Sequence, residues 1–581
     1  MKKIFALIPA LLLVLSCEMD FKRSDTMTSA MMKENPSSAE YTTNGLYSML
    51  KDVLLYHNQE NTRCTYIREY FQLTEFRGDN VCLSNMTTDP LTLNIRYEDI
   101  PNGEPNGYFW YVSYKIIFGA NSNIEVMPEG ASPETDHILG ENYFLRAFCH
   151  LNLVNIFAKP YTRDKDAEGV VLRLSTDCSE TSRASVEAVY TQVEKDLIKA
   201  AELMKGGKRR GDKGFIDYEA AMALLVRVYL YMGKDDECIN TASELLGDDP
   251  ASHLEAHVAD YYPHTRTSKE TLWCIAVEPT DHQYSEKSQI ASMYYTPDSD
   301  QSVGWKQMFA SDPLVELFER YPSDERYVNL FPLSCRRNDG TKMVHWPYKN
   351  DIDKTRQNFV QRDGVIDNND GTYTFTLADA SPSPITVKQT TINTYKVHYI
   401  ENGDGPTADT DDDGFYGGIR VYVRDAIDFA GMYESYPGYM CTKFSYQDGQ
   451  PLRSSPAMLR WAEVILNRAE AYAHKNDPKA LDDVNIIRKR AGLSGDQLMK
   501  SENIAERGYS SLLDVVLDER RLELSFEGFR ALDLYRNNRG IDRRFAGVQD
   551  WEILSVEQLD QKFPYVIPFD ETSITGITNN R

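Results

Sequence analysis

Apolar residues recur three and four positions apart over several long stretches, the mark of helices with one buried face. Ala39 to Leu55 carries Tyr41, Leu46, Met49, Leu50 and Val53 in this way, and Glu141 to Phe157 carries Tyr143, Phe144, Ala147, Phe148, Leu151 and Val154. Pro160 follows the second stretch, where a helix has to end. Ser185 offers a capping hydroxyl to a helix running through Val189, Val193, Leu197 and Ala200 to Met204, and Gly206 and Gly207 stop it. Leu512 to Leu534 reads as a last helical block, with charged residues placed to pair three or four positions apart.

Two segments read as helix hairpins. In the first, Tyr218 to Leu246, Leu225, Val228 and Tyr229 end one helix, Gly233 turns, and Cys238, Ala242 and Leu245 continue on the next. Tyr229, Gly233 and the small residue at 238 fall at tetratricopeptide spacings. The second unit starts at Leu459, with Ala462, Ile465, Ala469 and Tyr472 on one face, and Pro478 opens a helix through Ala480, Val484 and Ile487. Each hairpin has an apolar face that it cannot bury alone, so neighbours must stack.

From about residue 250 to 455 the texture changes. Asp363-Gly364, Asp370-Gly371, Asn402-Gly403, Asp413-Gly414 and Asp448-Gly449 crowd turn signals together. Thr372 to Leu377 alternates around Tyr373, Phe375 and Leu377, and Tyr395, Val397 and Tyr399 alternate likewise, as strands do. His253-Leu254-Glu255-Ala256-His257 reads as a surface helix; its Glu stands one place too late for the H-E-x-x-H metalloprotease arrangement. The fold class expected is mainly α, a tetratricopeptide-like helix-pair scaffold with a loop-rich insertion containing short β-hairpins.

The N-terminus reads as an address. Lys2 and Lys3 precede an apolar run from Ile4 to Leu15, too short to span a bilayer, and then come Ser16 and Cys17. A small residue directly before a Cys at that place resembles the bacterial lipobox, although Leu15 is bulkier than the residue often found there. Cleavage before Cys17 would free its amine and thiol for acylation, and several chains at about 0.8 kcal/mol per methylene give a lasting anchor. Glu18 and Asp20 resemble the surface-export signal of Bacteroidetes lipoproteins. The expected divisions are a signal peptide over 1–16, a lipidated tether over 17–40, an N-terminal helical part over 41–250, the insertion over 251–455 and a C-terminal helical part over 456–581. The net charge of −25 repels phosphate backbones, so nucleic acid is not an expected partner.

Motifs in order along the chain resemble the SusD/RagB family of Bacteroidetes lipoproteins. They are Cys17; Gly45-Leu46-Tyr47; residues 140–148 with Glu141 and Arg146; residues 181–186 with Arg183; residues 223–230 with Arg227; residues 460–471 from Arg460 to Ala471; residues 484–492 with Arg488 and Arg490; and Glu519-Arg520-Arg521-Leu522-Glu523-Leu524 with Phe526-Glu527-Gly528-Phe529-Arg530. Pro568 is similar to the family's proline-rich end. The resemblance implies four tetratricopeptide-like helix pairs and an outer-membrane, outward-facing lipoprotein. It also implies capture of an oligosaccharide, or another nutrient, for a SusC-like TonB-dependent transporter. It makes Arg146, Arg520 and Arg521 packing and pairing residues rather than catalytic ones.

Sugars bind to aromatic faces, with planar polar side chains taking their hydroxyls. Two clusters fit: Asp79 and Asn80 with Arg96 and Tyr97, and Tyr294, Tyr295, Trp305, Trp346 and Tyr348. Asp409, Asp411 and Asp413 with Gly414 match the start of a calcium loop, but Arg420 stands where the bidentate Glu belongs. That spacing excludes a full EF-hand; the segment reads as a solvated acidic turn, with a partial structural calcium site as the alternative, and no other cofactor is expected. No G-x-S-x-G or Walker loop occurs, and the chain is expected not to be an enzyme. The competing readings are a surface glycoside hydrolase, which needs two facing carboxylates, and a ligand-free interaction scaffold.

Overall fold

The structure, a computed structural model, describes residues 38–57, 59–60, 64–83, 91–281, 290–295, 304, 308–332, 336–349, 356–375, 384–392, 395–401, 418–428, 438–545, 547–550 and 552–580. Cys17, the signal segment and nearly all of the tether lie outside them.

The helical frame begins with α1 (Ser38–Met49) and α2 (Tyr66–Glu75), followed by the short strand β1 (Val81–Leu83). Four long helices then stack in chain order: α3 (Glu104–Val126), α4 (Pro133–Phe157), α5 (Val186–Met204) and α6 (Tyr218–Tyr231). The helix α7 (Asp235–Leu246) closes the hairpin with α6, and Gly233 makes the turn at φ 70°. The Ser185 hydroxyl accepts from the Ala188 N–H and caps α5 as expected. Two of these helices escaped the sequence reading. In α3 the run from Tyr108 to Ala120 is buried on most sides, so no polar stripe marks its period.

The strand β2 (Thr271–Cys274), the helix α8 (Ala291–Tyr294), the strand β3 (Met308–Ala310) and the helices α9 (Asp312–Glu319) and α10 (Glu325–Leu330) lead to the insertion. There the short hairpins of the sequence reading prove to be longer strands that close on themselves. They are β4 (Arg336–Lys349), β5 (Arg356–Asp367), β6 (Tyr373–Phe375), β7 (Ile385–Ile392), β8 (Tyr395–Glu401) and β9 (Gly418–Asp428). Antiparallel pairing joins them in the closed order β6-β7-β8-β9-β4-β5. Closure leaves no open edge for another chain to pair with. Val344, Val365, Phe375, Val387, Ile400 and Val421 fill the barrel as a core of its own. Pro347 falls where the β4–β5 register shifts, the place a proline is tolerated in a sheet.

The barrel leaves and rejoins the frame at one spot: the Met440 N–H donates to the Pro332 carbonyl at 2.9 Å and the Thr442 N–H to the Leu330 carbonyl at 3.0 Å. One guanidinium ties it down, with Arg424 of β9 paired to Asp312 at 2.7 Å and Glu319 at 3.0 Å on α9.

The chain returns through β10 (Ala457–Arg460), paired with β2, and then α11 (Trp461–His474) and α12 (Lys479–Arg490). The helix α11 packs on α7, so the second hairpin extends the first stack. The expected last helix is two, α13 (Leu512–Leu524) and α14 (Arg530–Arg536), broken where Phe526 and Gly528 take φ 68° and 85°. The break turns Glu527 inward to Arg460 at 2.8 Å and Lys443 at 2.8 Å. The helices α15 (Val556–Lys562) and α16 (Phe569–Thr575) end the described chain.

The expectation of pairs three or four positions apart along the last block holds for Asp533 with Arg536 and is otherwise corrected. Its charges are buried and pair mostly across elements. Glu523 meets Arg326 and Arg460, Glu519 meets Arg326 and Arg488, and Arg520 meets Asp533 and Glu470. Arg146 likewise pairs with Asp196 at 2.7 Å. Burial pushes the Glu523 carboxyl up, but Arg490, Arg460 and Arg326 hold it well below the usual carboxylate range. The expected helix at His253 is also corrected. A short 3-10 turn, Pro250–His253, ends there because Leu254 is buried and the His253 ring stacks on Trp461 at 4.0 Å.

Candidate functional site

Part of each sequence cluster, Asp79 and Asn80 of the first and Tyr294 and Tyr295 of the second, lies near one short ladder. The strands β1 and β3 pair Val81 with Ala310 and Leu83 with Met308, and Ala310 bridges on to Tyr439. Asp79 and Asn80 precede β1, while α8 delivers Tyr294 and Tyr295 beside the returning segment, where the Cys441 N–H donates to the Tyr294 carbonyl at 3.0 Å.

At the rim of this ladder stands a pair of tyrosines. The Tyr295 and Tyr446 rings lie 5.5 Å apart at 56°, and their hydroxyls are hydrogen-bonded. Tyr446 is 39% exposed, whereas Tyr295 is 9% exposed above a bed of Cys82, Phe309, Met440 and Phe545. Tyr446 adopts φ 68°, ψ 14°, a left-handed conformation costing roughly 1–3 kcal/mol that persists only where the surroundings fix it. The neighbouring Gln447 does the fixing. It is buried, donates from Nε2 to the Val277 carbonyl at 2.9 Å, and accepts at Oε1 from the Ser455 hydroxyl at 2.7 Å. The result is one aromatic ring, Tyr446, held partly open to solvent with its hydroxyl tied to that of Tyr295.

Tyr446 was missed by sequence reasoning. The adjacent Asp448-Gly449 turn was the available signal, but one tyrosine among 36 does not announce itself.

The first cluster turns inward, which corrects the expectation of a ligand surface there. Asp79 is 5% exposed, with its carboxylate on Arg530 at 2.9 Å and Arg521 at 3.3 Å. Burial would raise its pKa, but Arg521 and Arg530 bring it down to about 2. Asn80 is fully buried, donating to Glu75 at 2.9 Å and accepting from Arg521 at 2.9 Å. Tyr97 is clamped between the Arg77 and Arg543 guanidinium groups at 4.6 and 4.9 Å, and Arg96 donates to the Val548 carbonyl at 2.8 Å. Tyr294 is 1% exposed, packed edge-on against Phe526. Trp346 and Tyr348 lie on β4, where the backbone alone is described. Trp305, Asp409, Asp411 and Asp413 lie outside the described residues, and among the described residues no cluster of His, Cys, Asp or Glu could hold a metal ion.

A separate cleft of about 380 Å³ opens between α1 and the segments around Phe215 and Ile275. Its charges are spent on one another: Lys51 pairs with Asp281 at 2.6 Å, and Arg266 with Asp212 and Glu278.

A family model described as "SusD family" matches residues 269–563, half of the chain. The chain belongs to the SusD family. A second model, described as "Starch-binding associating with outer membrane", matches residues 31–230. The SusD-like protein P38 of Formosa agariphila is 22% identical over 502 residues, which cover 82% of this chain and 81% of that protein. Among solved structures, a SusD superfamily protein of Bacteroides thetaiotaomicron is 20% identical with a TM-score of 0.64, covering 94% of this chain and 99% of its own. A putative sugar binding protein of Bacteroides vulgatus matches at 20% identity and TM-score 0.62, covering 93% of this chain and 96% of its own. A laminarin binding SusD-like protein matches at 18% identity and TM-score 0.58, covering 94% and 98%. These structures share the SusD fold. In this SusD-family chain, the arginine and glutamate motif from Glu519 to Arg530 is therefore the buried ionic core of the fold.

Proposed function

We propose that this SusD-family protein is a non-catalytic, lipid-anchored binding protein of the cell exterior that captures an oligosaccharide for a SusC-like TonB-dependent transporter. The observation that carries the reading is the exposed Tyr446 ring, hydrogen-bonded through its hydroxyl to the buried Tyr295, on a SusD-family frame. A ring face stacks on the C–H face of a sugar, and the hydroxyls and the Asp448 carboxylate nearby suit a polyol. The family description that names starch and the outer membrane, and the laminarin-binding neighbour, support the ligand class and the place. Acyl chains on Cys17 supply the anchor in this reading, since no described helix is long and apolar enough to cross a membrane. The Asp409, Asp411 and Asp413 loop is retained as a partial calcium site within it.

Calorimetric titration of the mature chain with laminarihexaose and maltohexaose tests the ligand. Tyr446→Ala is expected to weaken binding about tenfold, a loss of roughly 1.4 kcal/mol, while Tyr446→Phe keeps most of it. Binding indifferent to Tyr446→Ala removes the platform from the reading, and turnover of the glycan would favour the hydrolase. Partnership is read by pull-down from outer membranes, where a TonB-dependent barrel is expected. Anchoring is read by release of Cys17→Ala protein from cells.

A further inference from the structure

We propose that a second, smaller cleft, between α3, the segment 171–178 and α16, is a separate binding site for a single sugar ring. Trp110, Tyr114 and Phe118 stand four residues apart on α3 and form one aromatic wall. The stripe runs from the floor to the mouth: Trp110 is 2% exposed and Phe118 48%. The opposite wall is rigidly held. Asn121 Nδ2 donates to the Arg173 and Ser175 carbonyls at 3.1 and 3.0 Å, and its own oxygen accepts from Arg146 at 2.9 Å. The Tyr114 hydroxyl donates to the Val171 carbonyl at 2.8 Å. The Glu571 carboxyl of α16 lines the third side.

Two donors face this cleft, and one of them is unmet. The Trp110 indole N–H turns to the Glu571 carboxyl, whereas the Arg173 Nη1 is buried with no hydrogen-bond partner. Leaving a buried donor unsatisfied costs about 1–3 kcal/mol, so a frame that keeps one beside a carboxyl is set for a polar guest. Burial pushes the Glu571 carboxyl up, while the Trp110 indole and the Arg173 guanidinium draw it back.

An apolar guest would leave the Arg173 donor unmet, and an anion would meet Glu571. A neutral sugar ring satisfies all three sides: its C–H face lies on the rings, a hydroxyl oxygen accepts from Arg173, and a hydroxyl donates to Glu571. The cleft measures about 140 Å³, well below the ~300–1,000 Å³ of pockets for drug-sized ligands, which suits one ring of a longer glycan and not a chain. This inference rests on the carbohydrate reading above but concerns a different site, lined by none of the residues around Tyr295 and Tyr446.

Cys178 is exposed at the mouth, so Cys178→Trp should block the cleft without touching the core, and Phe118→Ala removes the outer ring. Calorimetry of the full mature chain against laminarihexaose, maltohexaose, cellohexaose and mannohexaose should give two sites for at least one probe. Cys178→Trp and Phe118→Ala should each remove one site or weaken it fivefold or more, at unchanged thermal midpoint, with the other intact in each case. Tyr446→Ala should remove the complementary one. A single site lost with Tyr446→Ala and untouched by Cys178→Trp overturns the second site and leaves the carbohydrate reading standing. A single site that survives Tyr446→Ala and falls with Cys178→Trp supports the second site and overturns the tyrosine platform. Silence from every probe overturns both.

Discussion

Tyr446 and Gly528 both occupy left-handed backbone, for opposite reasons. Gly528 has to: its N–H donates to Glu75 at 2.7 Å, and a Cβ there would strike the Thr74 side chain. Gly528→Ala is expected to cost roughly 1–3 kcal/mol, seen as a lower denaturant midpoint. Tyr446 does not have to, and is forced there by its neighbour. Gln447→Ala should therefore let the turn relax and weaken sugar binding while Tyr446 itself is unchanged. Equal affinity in that variant would show that the turn needs no such buttress. The glycine was legible as part of a family motif; the tyrosine was not, because its role depends on Val277, far off in the sequence, as well as on the nearby Ser455.

At the scale of elements, α13 shows what periodicity reveals and conceals. Its length and apolar face were plain, but the spacing of its charges also fits a solvated helix. The stack buries it on all sides, so its charged groups pair with Arg326, Arg460 and Arg488, residues scattered over the chain. Removing one partner of a buried pair leaves the other uncompensated, typically at 3–5 kcal/mol. Glu523→Ala should therefore lower stability by about that much in equilibrium unfolding, far more than loss of an exposed pair such as Lys475 with Asp236. The barrel was legible only as alternation in Tyr373–Phe375 and Tyr395–Glu401, since closure depends on pairing between strands distant in sequence. The helix α3 was hidden for the reason that makes it central: it is apolar over too much of its circumference.

For the molecule as a whole, three groups shape the dependence of stability on pH. Burial works against the charge of His474, but hydrogen bonds to Asp235 and Glu470 raise its pKa from 6.5 to about 10. Its contribution is full below 6.5 and is lost as pH climbs through 10. Burial and Arg146 depress His150 from 6.5 to about 3, so the neutral ring accepts from the Arg173 N–H, and that contribution fades as pH falls from 6.5 toward 3. Asp79, lowered from 3.8 to about 2, adds a further loss as pH falls across that window. Chemical denaturation across pH should thus peak near 6.5, and His474→Asn should flatten the alkaline limb alone.

The barrel departs after Pro332 and rejoins at Met440 through residues already hydrogen-bonded to each other. A part joined at a single seam behaves as an interchangeable cassette. Replacing residues 334–437 by a brief glycine-rich link should leave a soluble helical body with a cooperative melt, because closing a short loop there is cheap. Lineages could then trade such modules, and with them what the surface recognises, while the stacked helices beneath stay the same.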